Sequence, residues 1–198
     1  MSVLVGKQAP DFTATAVMGD NSFKTDFKLS DFRGQYVVLF FYPLDFTFVC
    51  PSEIIAFDHR LEEFEKRNVQ VIGCSIDSQF SHLAWKNTAI NDGGIGQVRY
   101  PLVADISKQL INDYDVNFGH KALRGSFLID KEGVVQHQVV NAGALGRNID
   151  EMLRMVDALQ FSEEHGEVCP AGWNKGDEGM RGTGEGVGAY LSKHADKL

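Results

Sequence analysis

Residues 36–42 read Tyr-Val-Val-Leu-Phe-Phe-Tyr, and residues 43–53 continue Pro-Leu-Asp-Phe-Thr-Phe-Val-Cys-Pro-Ser-Glu. The first seven are apolar throughout and rich in β-branched and aromatic side chains, the composition of a central strand buried on both faces. Residues 43–49 form a loop. Beyond it Ile54, Phe57, Leu61 and Phe64 recur at spacings of three, four and three with charges between them, which predicts an amphipathic helix. A buried strand that feeds a helix through a short loop sets the fold class, because such a strand needs neighbours on both edges and helices on both faces.

The chain on either side supplies them. Residues 69–76 predict a second buried strand, and residues 80–90 a helix with Leu83 and Trp85 available for packing. Gly93-Gly94-Ile95-Gly96 breaks the chain, and residues 100–104 lead into a short helix around residues 108–114. Residues 124–129 and 134–140 flank Asp130-Lys131-Glu132-Gly133, a hairpin signal that makes this pair antiparallel. A last amphipathic helix over residues 149–161 presents Ile149, Met152, Val156 and Leu159 on one face. The expectation is an α/β fold: one mixed sheet flanked by helices, with a C-terminal extension.

Composition narrows the function. Nineteen basic against 27 acidic residues give a net charge of −8, and the basic residues never gather into a run, which argues against nucleic acid as a partner. The longest apolar stretch, residues 36–44, contains Pro43 and is too short to span a bilayer, and residues 1–7 do not read as a signal peptide. The three cysteines, Cys50, Cys74 and Cys169, show no C-x-x-C or Cys/His cluster. That speaks against a disulfide scaffold and a structural zinc site, and the six histidines show no metal-binding spacing. A cytoplasmic, reducing setting is expected, in which a cysteine worth explaining is catalytic or redox-active. Eight of the 20 glycines fall in the last 33 residues. The expected organisation is therefore a domain over residues 1–165 and an arm over 166–198, with a short helix around 187–193. Residues 168–173, Val-Cys-Pro-Ala-Gly-Trp, are too apolar to be left in water.

The chemistry centres on Cys50. Proline favours the first helical position, so Pro51 predicts Cys50 at the N-cap and Glu53 at the third helical position. A sulfur there faces unpaired N–H groups and the positive end of the helix dipole, which favour thiolate. An ordinary thiol is ionised to only a few per cent at neutral pH, and making it mostly thiolate takes about 3 kcal/mol. A helix terminus supplies roughly 0.3 to 1 kcal/mol. A cation must supply much of the rest, and Arg124 and Arg147, at the start or in the loops of neighbouring strands, are the candidates. An arginine suits the task, since it stays charged when desolvated and its fork can hold the sulfur and an oxygen together. Cys74, inside the second buried strand, reads as an inert thiol, and Trp85 and Trp173 as packing residues.

These residues also carry a resemblance. Pro43-x-x-x-Thr47-x-x-Cys50 is similar to the active-site motif of peroxiredoxins, and residues 45–51 resemble the typical two-cysteine subgroup, the thioredoxin peroxidase and alkyl hydroperoxide reductase C type. Residues 77–85, 124–130, Gly146-Arg147 and 167–173 resemble that subgroup in the same order, so the likeness covers almost the whole chain. It implies a thioredoxin-like fold and a peroxidase that needs no prosthetic group. Cys50 would attack hydrogen peroxide or a small organic hydroperoxide and become a sulfenic acid. Thr47 would hydrogen-bond the peroxide, Arg124 would stabilise charge along the breaking bond, and Pro43 would shield the sulfenic acid. Glu53 and Arg147 would support that network. Cys169 of a second subunit would resolve the sulfenic acid as an intersubunit disulfide within a homodimer. A dithiol reductant, thioredoxin or a dedicated flavoprotein disulfide reductase, would recycle it.

The resemblance further places Phe48 and residues 77–85 where dimers join into a decameric ring. Residues 93–96 and Tyr190-Leu191 would pack over the active site and slow its unfolding. Leucine stands here where overoxidation-sensitive members carry phenylalanine, so intermediate sensitivity is expected. Two other readings compete. A holdase chaperone would use the oligomer and the apolar tail but would not require Thr47, Arg124 and Cys169 together. A disulfide oxidoreductase is disfavoured because Glu53 stands where a C-x-x-C motif would place its second cysteine.

Overall fold

In the computed structural model, which describes residues 3–198, the run at 36–42 becomes a strand whose six residues are all buried. In chain order the strands are β1 (Thr13–Val17), β2 (Phe23–Lys28), β3 (Tyr36–Phe41), β4 (Val69–Ser75), β5 (Leu102–Ala104), β6 (Asn117–Phe118), β7 (Lys121–Ala122), β8 (Arg124–Ile129) and β9 (Val135–Asn141). The helices are α1 (Cys50–His59), α2 (Leu61–Glu65), α3 (Gln79–Asn87), α4 (Gln109–Asp113), α5 (Ile149–His165) and α6 (Gly184–His194).

Seven strands form one mixed sheet in the order β2-β1-β5-β4-β3-β8-β9, while β6 and β7 pair separately. β3 lies parallel to β4 and antiparallel to β8, so both its edges are bonded, as its continuous apolar sequence requires. The predicted hairpin is β8 and β9. β5 is inserted between β4, to which it is parallel, and β1, to which it is antiparallel. This is the thioredoxin-like mixed sheet flanked by helices, with a C-terminal extension. Among the described residues no helix is long and apolar enough to cross a membrane.

Packing explains two local choices. Gly73 sits inside β4 because a Cβ there would come within 2.8 Å of Leu102 and 2.9 Å of Phe40. Ile54, Phe57, Leu61 and Phe64 are all buried as their spacing predicts, yet the helix they define is interrupted. Arg60 leaves helical geometry (φ −106°, ψ 5°), and α2 restarts with the Glu63 and Phe64 amides donating to the Arg60 carbonyl. An apolar face can continue through such a break, which is why periodicity does not reveal it.

The chain divides into two compact units, residues 1–149 and 150–198. The second therefore begins at the first turn of α5, whereas the composition change at His165 marks the end of that helix. Within the second unit, Val168 and Met180 exchange backbone hydrogen bonds of 2.8 and 3.0 Å, and Trp173 packs its ring 4.8 Å from that of Phe161. The apolar character of residues 168–173 is thus used in packing. α6 is capped by Thr183, whose hydroxyl accepts from the Gly186 amide.

One buried charge in the first unit has a measurable consequence. Lys86 on α3 is 1% exposed, and its ammonium donates to the Met18 carbonyl at 2.8 Å and the Gly19 carbonyl at 3.4 Å. Burial pulls its pKa down to about 8, against the opposing pull of Asp20 and Asp58. Between pH 8 and the ordinary lysine value the unfolded chain holds a proton that the folded chain has shed, so stability rises with pH through that window. The Cys74 thiol, pushed up by burial, works in the opposite direction above the ordinary thiol value. Urea midpoints at pH 7.5 and 9 in wild type and Lys86→Met separate the two, because Cys74 is common to both. The wild-type midpoint should gain on that of the variant as pH rises, and parallel changes would refute the Lys86 contribution.

Candidate active site

Cys50 is the first residue of α1. The helix begins one residue earlier than Pro51 predicts: Val49 already has right-handed helical dihedrals (φ −87°, ψ −32°) and its carbonyl accepts from the Ser52 amide. Val49 is therefore the N-cap, and Cys50 and Pro51 fill the first two helical positions. The sulfur is still in the first turn, where backbone N–H groups lack helical partners. It is also fully buried, at 0% exposure.

Two groups face that sulfur. Arg124, which opens β8, directs Nη1 at Sγ from 3.3 Å, and the Thr47 hydroxyl lies 2.9 Å from it. The same hydroxyl is 2.7 Å from the Leu44 carbonyl. One hydroxyl proton cannot serve both acceptors, so Thr47 donates either to the loop backbone or to a thiolate. An incoming hydroxylic ligand can compete for that same proton.

Behind the sulfur lies a buried ion cluster. Glu53 Oε2 accepts from Arg124 Nη1 at 2.6 Å and from Arg147 Nη2 at 3.1 Å. Its Oε1 accepts from the Arg147 amide at 2.9 Å and from Arg147 Nε at 2.8 Å. The remaining Arg147 nitrogen, Nη1, donates to the carbonyls of Phe41 and Gly125, both at 2.8 Å, and Arg124 Nε donates to the Gly143 carbonyl at 2.9 Å. The three charged side chains are 3 to 4% exposed. Desolvation lowers the pKa of Arg147, and the neighbouring Glu53 carboxylate opposes that shift. Two guanidinium groups and one carboxylate leave one uncompensated positive charge in a dry site, within 3.3 Å of the Cys50 sulfur.

Arg124, Arg147, Glu53, Thr47 and Cys50 are thus brought together, and Pro43 is buried at the start of the loop that carries Thr47. Cys169 belongs to the other compact unit, and all three cysteines are free thiols. There the Cys169 sulfur donates to the Ala158 carbonyl at 3.4 Å.

Comparison with known proteins decides the family. Residues 5–138 match the AhpC/TSA family, and residues 158–193 match the C-terminal domain of 1-Cys peroxiredoxin. The chain is 59% identical to alkyl hydroperoxide reductase C of Helicobacter pylori strain J99, covering 99% of this chain and all of that one. It is 54% identical to mouse peroxiredoxin-2 over 96% of each chain. The reduced 2-Cys peroxiredoxin of Plasmodium vivax superposes with a TM-score of 0.95 at 53% identity, covering 96% of this chain and all of that one. The chain belongs to the two-cysteine peroxiredoxin family. It is accordingly a peroxidase that works by cysteine oxidation, with a peroxide as substrate and a thioredoxin-like reductant.

This peroxiredoxin also holds the loop before α1 by residues of the 45–51 and 77–85 stretches whose anchoring role the motifs did not reveal. Asp45 is buried and accepts from the Tyr42 hydroxyl at 2.9 Å and from Ser81 Oγ at 2.8 Å, and its Oδ2 lies 2.8 Å from Nδ1 of buried His82. The Asp45 amide donates to Asp77 at 2.9 Å. Phe46 then takes a left-handed conformation (φ +53°) and sets its ring 5.6 Å from Trp85. α3 therefore anchors the start of the loop while leaving its middle free of regular structure. Residues 93–96 dock on the same helix: Trp85 Nε1 donates to the Gly93 carbonyl at 2.8 Å, and a Cβ on Gly94 would collide with the Thr88 carbonyl. They reach the loop through Trp85. No spacing rule marks Asp45 or His82, because polar residues buried in pairs leave no periodic trace.

Proposed function

We propose that Cys50 is the peroxidatic nucleophile and that Cys169 of a second subunit is the resolving thiol. The observation that carries this reading is the Cys50 sulfur enclosed between the Arg124 guanidinium and the Thr47 hydroxyl, in a cluster one negative charge short of neutrality. The thiolate attacks the terminal peroxide oxygen. The S–O bond forms as the O–O bond breaks, Cys50 becomes sulfenic acid, and water or an alcohol leaves after taking a proton. Arg124 stabilises the charge that develops on the departing oxygen, Thr47 orients the peroxide, and Glu53 holds both arginines in place. Pro43 keeps water from the sulfenic acid. Hydrogen peroxide and small organic hydroperoxides fit a site this enclosed.

Resolution requires movement. A sulfur with no exposed surface cannot come within about 2 Å of another until the first turn of α1 unwinds. The left-handed Phe46 and the 97% exposed Phe48 mark a loop held at its start and little restrained further on, which favours such local opening. A ring of dimers would cover Phe48, a large apolar side chain otherwise left in water.

Stoichiometric peroxide followed by non-reducing electrophoresis tests the scheme. The wild type should run as a disulfide-linked dimer, and Cys50→Ser and Cys169→Ser should each run as monomers. A wild-type monomer would refute the intersubunit disulfide. Turnover supported by thioredoxin with its reductase, and absent with a flavoprotein disulfide reductase, would identify the recycling partner.

A further inference from the structure

The segment that carries Cys169 is held on α5 at both ends, and one of those ties is an arginine. At one end of residues 169–173 the Cys169 thiol donates to the Ala158 carbonyl at 3.4 Å, and at the other the Trp173 carbonyl accepts from Arg154 Nη1 at 2.7 Å. Arg154 and Ala158 are four residues apart on α5 and share one face. Arg154 is itself fixed. Nε and Nη2 donate to the two oxygens of Glu151 at 2.6 and 2.7 Å, and Nη2 also reaches Met155 Sδ at 3.3 Å. The Trp173 ring packs on Phe161, and its Nε1 donates to the Asp177 carbonyl at 3.1 Å. None of these contacts involves the Cys50 site.

We propose that Arg154 is a positioning residue of the resolving step: it holds residues 169–173 on α5 through the Trp173 carbonyl and keeps a positive charge on the face of α5 to which the Cys169 sulfur bonds, as that sulfur becomes a thiolate. The inference rests on the reading that Cys169 attacks the Cys50 sulfenic acid. In that step the S–S bond forms as the Cys50 S–O bond breaks, and the departing hydroxide leaves as water with the thiol proton, so peroxide is the sole oxidant. The attacking species is the thiolate. Burial pushes the Cys169 thiol up, and Arg154 pulls it back. Arg154 is raised chiefly by its hydrogen bond to Glu151, and Cys169 adds to that shift. Several other charged groups of α5 and the tail make contacts apart from the Cys169 sulfur. Asp157 faces Lys175 at 3.5 Å, Glu151 is engaged by Arg154, Glu178 is held by Lys193 and His194, and Glu167 lies over Gly179. His165 stacks on Phe161.

The test uses the full-length protein and its Arg154→Gln and Arg154→Lys variants, with Cys50 oxidation and disulfide formation timed separately by acid quench across pH. Arg154→Gln should slow disulfide formation at pH 7 on the order of fivefold, the range of a partly exposed charge interaction. The deficit should close at pH values where the thiol ionises unaided. Arg154→Lys, which keeps the charge, should recover most of the wild-type pH profile. In a Cys50→Ser background the midpoint for Cys169 alkylation should move up in Arg154→Gln. Disulfide formation at the wild-type rate in Arg154→Gln would overturn this inference alone, and equal slowing of both variants at every pH would overturn its charge component. Absence of any Cys50–Cys169 disulfide in the wild type would overturn the parent reading with it.

Discussion

Arg124→Gln should lower the second-order rate of Cys50 oxidation by hydrogen peroxide by about 10³ to 10⁴. Two losses combine. Without the Arg124 charge, Glu53 and Arg147 form a neutral pair, so a Cys50 thiolate would be an uncompensated buried anion and is disfavoured. Reducing the thiolate to the few per cent of an ordinary thiol costs roughly tenfold or more. In the proposed mechanism the donor at 3.3 Å from the sulfur also stabilises charge on the departing oxygen, and removing one such donor typically costs about 10² to 10³ in rate. Arg124→Lys should fall between, since a lysine keeps the charge but lacks the planar group that fixes Nη1 on sulfur and carboxylate by holding Nε on the Gly143 carbonyl. The rate is read from residual thiol after rapid quench, and a change smaller than threefold in Arg124→Gln would refute the role.

Glu53→Gln should be the most damaging single change to stability among the site residues. The carboxylate accepts four hydrogen bonds from two arginines, each with its side chain 3 to 4% exposed. An amide of the same shape can accept on one side only and carries no charge, which leaves two guanidinium groups without the carboxylate that bridges them. Breaking a buried ion pair by removing one partner costs about 3 to 5 kcal/mol. The urea midpoint should fall accordingly, and since Arg147 also bonds the Phe41 and Gly125 carbonyls, the ends of β3 and β8 should lose amide-exchange protection first. A midpoint within 1 kcal/mol of wild type would show that Glu53 is not what holds the arginines together.

The parts of the molecule that burial decides were legible in the sequence. β3 is announced by seven apolar residues in a row, the β8–β9 hairpin by its turn, and α1 by the spacing of Ile54 and Phe57. The β1–β2 hairpin was not. β1 is built from small residues, Thr-Ala-Thr-Ala-Val, and β2 alternates around Phe27, its single buried residue, so neither carries enough apolar periodicity to stand out. At the site, Cys50 followed by Pro51 pointed to the first turn of a helix, and the need for a cation pointed to Arg124 and Arg147. Their convergence on Glu53 depends on β8 and the loop after β9 meeting α1, a tertiary fact that local sequence does not encode. The Tyr42, Asp45 and His82 anchor beneath the loop escaped notice for the same reason.

Loop and helix thus divide the work. α3 fixes the entry to the loop through Asp45 and Phe46, the ion cluster fixes the first turn of α1, and the sulfur between them is buried. Peroxide consumption by Cys50→Ser beside wild type, with thioredoxin and its reductase supplying electrons, tests this account most directly. Sustained turnover in the wild type and none above buffer in Cys50→Ser is the predicted result. Peroxide turnover that survives in Cys50→Ser would contradict it.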